Sequence, residues 1–335
     1  MSAMRSASRR DFLRECLSGA VLGASGTMGL LAASRPAPVI TKSKVVIAHD
    51  DQLRDAGSAV DSLRVLDLLD RAMQSLLDRD QPIEAWKRLV LPGDRVGLKV
   101  NALGGRGLAS NLQLVEAICG RLQEAGVKAN DIVVWDRDTD EMERSGFHIS
   151  TGGSGVLCFG TDRVDYEQEL ATFGSIGSRL SRILTQRCDV LINVPVLKDH
   201  DGAGVTLALK NMYGVIHNPN KYHPDGCNPY IADLNMLPEI RSRMKLTICD
   251  ATTAQYEGGP AYKPEYSWKP NALIVSQDPV ALDYTGWQMI ERKRAERGLK
   301  TLEGDGRKPH YIATAADGEH RLGTNDPARI AVVEV

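Results

Sequence analysis

The sequence predicts an α/β fold, with a mostly parallel sheet, flanking helices and a glycine-rich insertion over the sheet. Three observations predict it. Apolar runs of strand length recur along the chain, at 44–49, 95–101, 131–136, 244–250, 272–276 and 330–335. Helical patterns separate the first of them, and the alternation of strand, helix and strand builds parallel sheets through right-handed crossovers. The run Asp189 to Val196 reads as a buried strand that opens directly onto lysines and histidines, and open α/β sheets make ligand sites at the carboxyl ends of such strands.

The first predicted strand is KVVIAH at 44–49, and a helix follows over 61–77, where Leu66, Leu69, Met73 and Leu76 lie close to helical spacing on a broad apolar face. Leu91-Pro92-Gly93-Asp94 is a turn, and RVGLKVN at 95–101 is the next strand. A helix over 111–125 buries Leu114, Val115, Ile118 and Leu122 and ends at Gly126, as helices ending in a left-handed glycine do. DIVVWD at 131–136 is the third strand. Glycines and scattered charges over 137–178, with a strand at 156–159, read as the insertion, and 176–186 reads as a short helix feeding the strand at 189–196. Beyond the site, Asp278-Pro279 opens a helix that runs to about Arg294, the Asp capping free amides and the Pro fitting the first helical position.

The first 35 residues differ from the rest. Arg9 and Arg10 precede Phe12-Leu13, and the charge-free, Gly- and Ala-rich run from Cys16 to Ala33 follows. This order is that of a twin-arginine export signal, so a periplasmic or otherwise exported protein is expected, with the translocase as its partner in export. A permanent anchor needs about 20 strongly apolar residues, and Gly19, Gly23, Gly26 and Gly29 interrupt this run, so no stable membrane anchor is expected. The expected organisation is a signal at 1–35, a Pro-rich spacer at 36–43 and a single α/β domain over 44–335. The net charge of −2 divides into +3 over residues 1–35 and −5 over the remainder; mild acidity without a basic stripe argues against nucleic acid. The five cysteines after the signal, Cys119, Cys158, Cys188, Cys227 and Cys249, never lie within three residues of one another. No iron–sulfur cluster or zinc ribbon is therefore expected.

The candidate site is the stretch from Asn193 to His223, which holds three of the seven histidines. Strand ends at Lys99, Asn101, Asn193, Lys198 and Asp250 share one edge of a parallel sheet, so these residues and Lys210 are expected to meet in one crevice. Lysines gathered there favour an anionic small molecule such as a carboxylate or phosphate, although each is also a lysine type that usually faces water. His200 and His223 are candidate proton carriers or, with Asp199, Asp201 and His217 nearby, ligands of a transition metal; surface or hydrogen-bonding roles are the alternative. Lys210 and Asn211 close the apolar VTLALKN, and a lysine desolvated there is a better nucleophile or base; a helix C-terminal lysine facing water is the other reading. Asp283, one turn inside the helix capped by Asp278, faces either the crevice or solvent. Gly105-Arg106-Gly107-Leu108-Ala109-Ser110 nearly matches a dinucleotide fingerprint, with Asp136 ending the next strand, which leaves a nicotinamide-dependent oxidoreductase as a further alternative.

The residues LKVN at 98–101, NVPVLKDH at 193–200, GVTLALKNMYGVI at 204–216, KYH at 221–223 and SQDPVALD at 276–283 resemble the domain of unknown function 362 family over nearly the whole chain after the signal. That resemblance implies a fold and a site but no activity. Some relatives carry a ferredoxin module, which this sequence lacks. A more remote likeness is to the lactate racemase family, whose lysine tethers a nickel-pincer nucleotide and whose histidine binds nickel; the matching positions are His200, Lys210 and His223. The combined expectation is an exported α/β enzyme binding an anionic small molecule, with His200, Lys210 and His223 catalytic and Lys99, Asn101, Asn193, Lys198, Asn211, Asp250 and Asp283 around the ligand. A non-catalytic periplasmic binding protein using the same crevice is the alternative.

Overall fold

Apolar strands covered on both faces dictate the architecture. The computed structural model describes residues 42–54 and 59–335, so the signal read at 1–35 and most of the spacer lie outside the described residues. In chain order the elements are β1 (Ser43–His49), α1 (Ser62–Leu77), α2 (Pro82–Trp86), β2 (Val96–Lys99), α3 (Leu112–Glu124), β3 (Ile132–Trp135), α4 (Thr139–Arg144) and β4 (Leu157–Cys158). There follow β5 (Ala171–Phe173), β6 (Ile176–Ser178), α5 (Arg182–Gln186), β7 (Val190–Asn193), β8 (Val196–His200), β9 (Gly204–Thr206), α6 (Ala208–Asn211), α7 (Tyr230–Met236) and α8 (Pro238–Arg241). The chain closes with β10 (Met244–Gln255), β11 (Ser267–Trp268), β12 (Ala272–Ser276), α9 (Pro279–Glu296), α10 (His310–Ala316) and β13 (Ile330–Glu334).

Eleven strands form one sheet, with the main order β13-β1-β12-β10-β7-β2-β3-β4. Along that path β12 alone runs against its neighbours; β1 with β13, β10 with β7, β7 with β2, β2 with β3 and β3 with β4 are all parallel. Successive side chains of β1 enter opposite cores, Val45 and Ile47 on one face and Val46 and Ala48 on the other. Helices cover both faces, as the sequence predicts for a buried parallel sheet. Among the described residues no helix is long and apolar enough to cross a membrane.

Three elements differ from the sequence reading. The run at 189–196 is two strands: Val194 and Pro195 interrupt it, and the chain resumes as β8, which turns back at Asp201–Ala203 to pair antiparallel with β9. Proline removes a ladder donor, which is why the break falls there. The segment 137–178 does not simply lie over the sheet, because β4 within it extends the sheet beside β3, while β5 and β6 form a separate hairpin. The helix read at 176–186 is confined to α5, after β6 has used Ile176–Ser178 as a strand.

Candidate functional site

The cleft forms where β2 and β7 end and the β8–β9 hairpin and α6 rise over them. A ladder of amides sets its floor. Asn211 donates to Asn193 Oδ1 at 2.7 Å, Asn101 donates to Asn211 Oδ1 at 3.0 Å, and Asn193 donates to the carbonyl of Ala208 at 2.8 Å. Lys198 Nζ completes the ladder with a 2.9 Å bond to Asn101 Oδ1. Each of these groups is buried, and buried polar groups are stable only when so satisfied. Asp283 fixes α6 from below: its carboxylate accepts from the amides of Ala208 at 2.7 Å and Leu209 at 3.2 Å. Lys210 and Asn211 are thereby held at the cleft by a helix whose first amides are tied to α9.

Lys99, Asn101, Asp136, Arg137, Glu141, His200, Thr206, Lys210, Asn211, Tyr213, Asn220 and His223 are among the residues that line a cleft of about 240 Å3. Lys99 pairs with Asp136 at 2.6 Å, and Asp136 also accepts from the amides of Ala102 and Arg137. Gly214 lies against this pair so closely that a Cβ there would come within 2.6 Å of Lys99 Nζ and 2.7 Å of Asp136 Oδ1.

Lys210 Nζ lies 3.3 Å from His223 Nε2 and 3.8 Å above the Tyr213 ring. His223 Nδ1 is 3.0 Å from the carbonyl of Pro219, which only accepts, so Nδ1 carries the proton and Nε2 presents its lone pair to the lysine. Burial, with Asp201 and Cys227 opposing it, lowers Lys210 to about 8, and burial together with Lys210 lowers His223. Lys198, lowered to about 8 by burial, lies just behind the wall. Among the described residues neither Lys198 nor Lys210 makes an ion pair; their polar partners, Asn101 and His223, are neutral.

The His200 ring stacks across from His223 with centroids 5.8 Å apart and planes at 29°. Its Nδ1 receives the amides of Gly202 at 3.1 Å and Ala203 at 3.2 Å, yet Asp201 Oδ1 is also 2.9 Å away. The two amides decide the tautomer, because an Nδ1 that accepts from them cannot also carry a proton toward the exposed Asp201 carboxylate, which itself accepts from Gly202 N at 2.7 Å. His200 is therefore neutral with Nε2–H as a donor, consistent with burial and Lys210 pushing it down to about 2.

This arrangement does not suit a metal ion held by protein side chains alone. The Nδ1 lone pair of His200 is occupied, that of His223 Nε2 faces an ammonium, and among the described residues no cluster of three His, Cys, Asp or Glu side chains is placed to hold an ion.

Of the residues expected around the ligand, Lys99, Asn101, His200, Lys210, Asn211 and His223 line the cleft. Asn193 and Lys198 lie behind its wall as part of the amide ladder. Asp250 and Asp283 do not reach it. Asp250 sits within β10, which continues to Gln255, and its carboxylate accepts from Asn111 N at 2.6 Å and Thr252 N at 2.8 Å. The same contact bears on the dinucleotide reading. The amide opening α3 already faces the Asp250 carboxylate, Gly107 packs against the Tyr262 ring, and Asp136 is engaged by Lys99, so the groups a dinucleotide fingerprint would use are already partnered. His217 stacks edge-on against Tyr166, away from the cleft residues. Sequence reading missed Arg137, Glu141, Thr206, Tyr213 and Asn220.

The profile of the family described as Domain of unknown function (DUF362) matches residues 96–288. The chain is 27% identical over 243 residues to a thylakoid-associated protein of Synechocystis sp., a match covering 70% of each chain. Among solved structures it is similar to the lactate racemase apoprotein from Thermoanaerobacterium thermosaccharolyticum, at 13% identity and a TM-score of 0.42, over 73% of this chain and 57% of that one. A structural-genomics protein from Thermotoga maritima is similar at 11% identity and a TM-score of 0.43, over 70% of this chain and 59% of that one. The chain thus spans less than three-fifths of the length of either solved protein.

Proposed function

The chain belongs to the family of the domain of unknown function 362, and on that premise we propose that it is an exported α/β enzyme performing acid–base chemistry on a compact anionic molecule in the Lys210 cleft. The observation that carries this reading is buried positive charge that makes no ion pair among the described residues: Lys210 in the cleft wall and Lys198 behind it hydrogen-bond there only to neutral partners. A buried charge is costly until it is paired, and a bound carboxylate or phosphate supplies the missing partner. Export rests on Arg9 and Arg10 ahead of the apolar run to Ala33.

The cleft volume of about 240 Å3 lies below the roughly 300–1,000 Å3 of sites for drug-sized ligands, which favours a molecule of a few heavy atoms. Lys210 attracts its charged group, and His200 donates a hydrogen bond through Nε2. His223, with a lone pair fixed by Pro219, accepts a proton. Lys99, Asn101 and Asn211 shape the polar floor. Asn193, Asp250 and Asp283 act by holding the elements that carry these groups.

Solvent-deuterium exchange tests the enzymatic reading whatever the product is. The full chain is incubated in deuterated buffer with small hydroxy, amino and oxo acids, and carbon-bound hydrogens are followed by proton NMR. Exchange into one acid, abolished by His223→Gln, is expected. Binding of the acid without any exchange would instead make this a carrier of the same anion.

A further inference from the structure

Resting on the reading of the cleft as an anion site, we propose that with a small oxo acid Arg137 receives the carboxylate in place of Lys210, which is freed to act as a nucleophile and form an imine with the carbonyl carbon. The geometry around Nζ suits that step better than charge pairing alone. An amine reacts only when unprotonated, and a carboxylate partner would keep it protonated; among the described residues Lys210 has none. Its nearest polar neighbour is the Nε2 lone pair of His223, 3.3 Å away and oriented by the Pro219 carbonyl, which is where a base must stand. The face of Tyr213 at 3.8 Å holds the ammonium stem against one wall, so the nitrogen is fixed before the ligand arrives. Burial lowers Lys210 to about 8, which puts the free amine within reach near neutral pH.

Arg137 lines the same cleft and, among the described residues, makes no ion pair through its guanidinium. A planar fork of donors is the side chain best matched to a carboxylate. Glu141 shares the cleft, and burial with the nearby Asp136 holds it above the usual carboxylate value, which weakens its competition for Arg137. The other cation of the cleft, Lys99, is committed to Asp136.

The step balances without an added oxidant or reductant. The Lys210 nitrogen lone pair forms the N–C bond while the C=O π pair moves to oxygen. His223 Nε2 takes one proton from nitrogen and delivers it to the oxygen side. The nitrogen lone pair then forms the C=N bond as the hydroxyl departs, and the second nitrogen proton passes through His223 Nε2 to that oxygen, so that the products are water and the neutral imine. Its protonated form withdraws electrons from the neighbouring C–H, which is the bond that acid–base chemistry at this site would break.

The test is reductive trapping. The full chain is mixed with pyruvate, glyoxylate or the uncharged ketone acetone, treated with sodium cyanoborohydride and examined by intact mass and peptide mapping. The expected result is one adduct per chain with an oxo acid, located on the peptide at Lys210, absent in Lys210→Arg, and favoured over acetone by a margin that falls about tenfold or more in Arg137→Met. Peptide mapping of the unaltered chain keeps the test decisive even if Lys210→Arg fails to fold. Labelling spread over surface lysines such as Lys221, or none at all, overturns the imine. If pyruvate raises the melting temperature without an adduct, the imine fails while the anion site stands. If neither adduct nor shift appears with any of the probes, both fail.

Discussion

Lys210 and His223 form a buried pair, Nζ to Nε2 at 3.3 Å, in which the imidazole is neutral and the lysine, among the described residues, has no carboxylate partner. Two groups of opposite proton affinity are thereby held in contact by separate elements, α6 and the turn that follows Pro219. Proton transfer between them needs no rearrangement, and an anion entering the cleft finds a lysine that makes no ion pair among the described residues.

Asp283 is predicted to be the support on which Lys210 depends. Asp283→Ala leaves the buried amides of Ala208 and Leu209 without acceptors, at a cost of about 2–5 kcal/mol. Urea unfolding should show a lower midpoint with an unchanged slope, and anion binding should weaken as α6 loses its anchor. A midpoint equal to that of the unaltered chain would remove Asp283 from this role.

Gly214→Ala tests the packing against the ion pair. The new Cβ falls within 2.7 Å of both Lys99 and Asp136, and these side chains are buried and bonded, so they have little room to withdraw. Overpacking of this kind costs about 1–3 kcal/mol. Calorimetry should find a lower melting temperature together with weakened ligand binding, since the displaced Lys99 and Asp136 line the cleft.

Lys198 should leave a signature in the pH dependence of stability. Burial holds it near 8, below its ordinary 10.5. Between those values the unfolded chain binds the proton that the folded chain has released, so stability gains from this group as pH rises through the window. Below about 8 both states are protonated and the full desolvation penalty applies. Unfolding of Lys198→Met should therefore compare more favourably with the unaltered chain at pH 7 than at pH 10. A difference that is the same at both values would contradict the depressed lysine.

Much of the site was legible because apolar runs announce strands and strands end at fixed places. Lys99 and Asn193 close VGLK and VLIN, so the strand reading alone puts them at one edge, while Lys210, which closes the apolar VTLALK, is carried there by α6. Asp250 and Asp283 were misplaced for a definite reason: β10 runs on past Asp250 to Gln255, and the amides of Asn111 and Ala208 that the two carboxylates accept from lie 139 and 75 residues away in sequence. A carboxylate's partner at that distance leaves no local pattern. Thr206, Tyr213 and Asn220 sit in a three-residue strand and in 3-10 turns, where neither the helical nor the strand period develops. Pro195 did carry a signal, since proline within a central apolar run marks an interruption, and the β8–β9 hairpin that presents His200 begins there.

The central claim, that the cleft takes a small anion through Lys210, is tested most directly by isothermal titration of the full chain with acetate and inorganic phosphate, neither of which can form an imine. At least one anion should bind once per chain, bind in Lys221→Met, and fail to bind in Lys210→Met. Because the ammonium form of Lys210 persists only below about 8, the affinity should hold to that pH and fall roughly tenfold per unit above it. Equal affinity in Lys210→Met, or an affinity that rises with pH, would contradict the account.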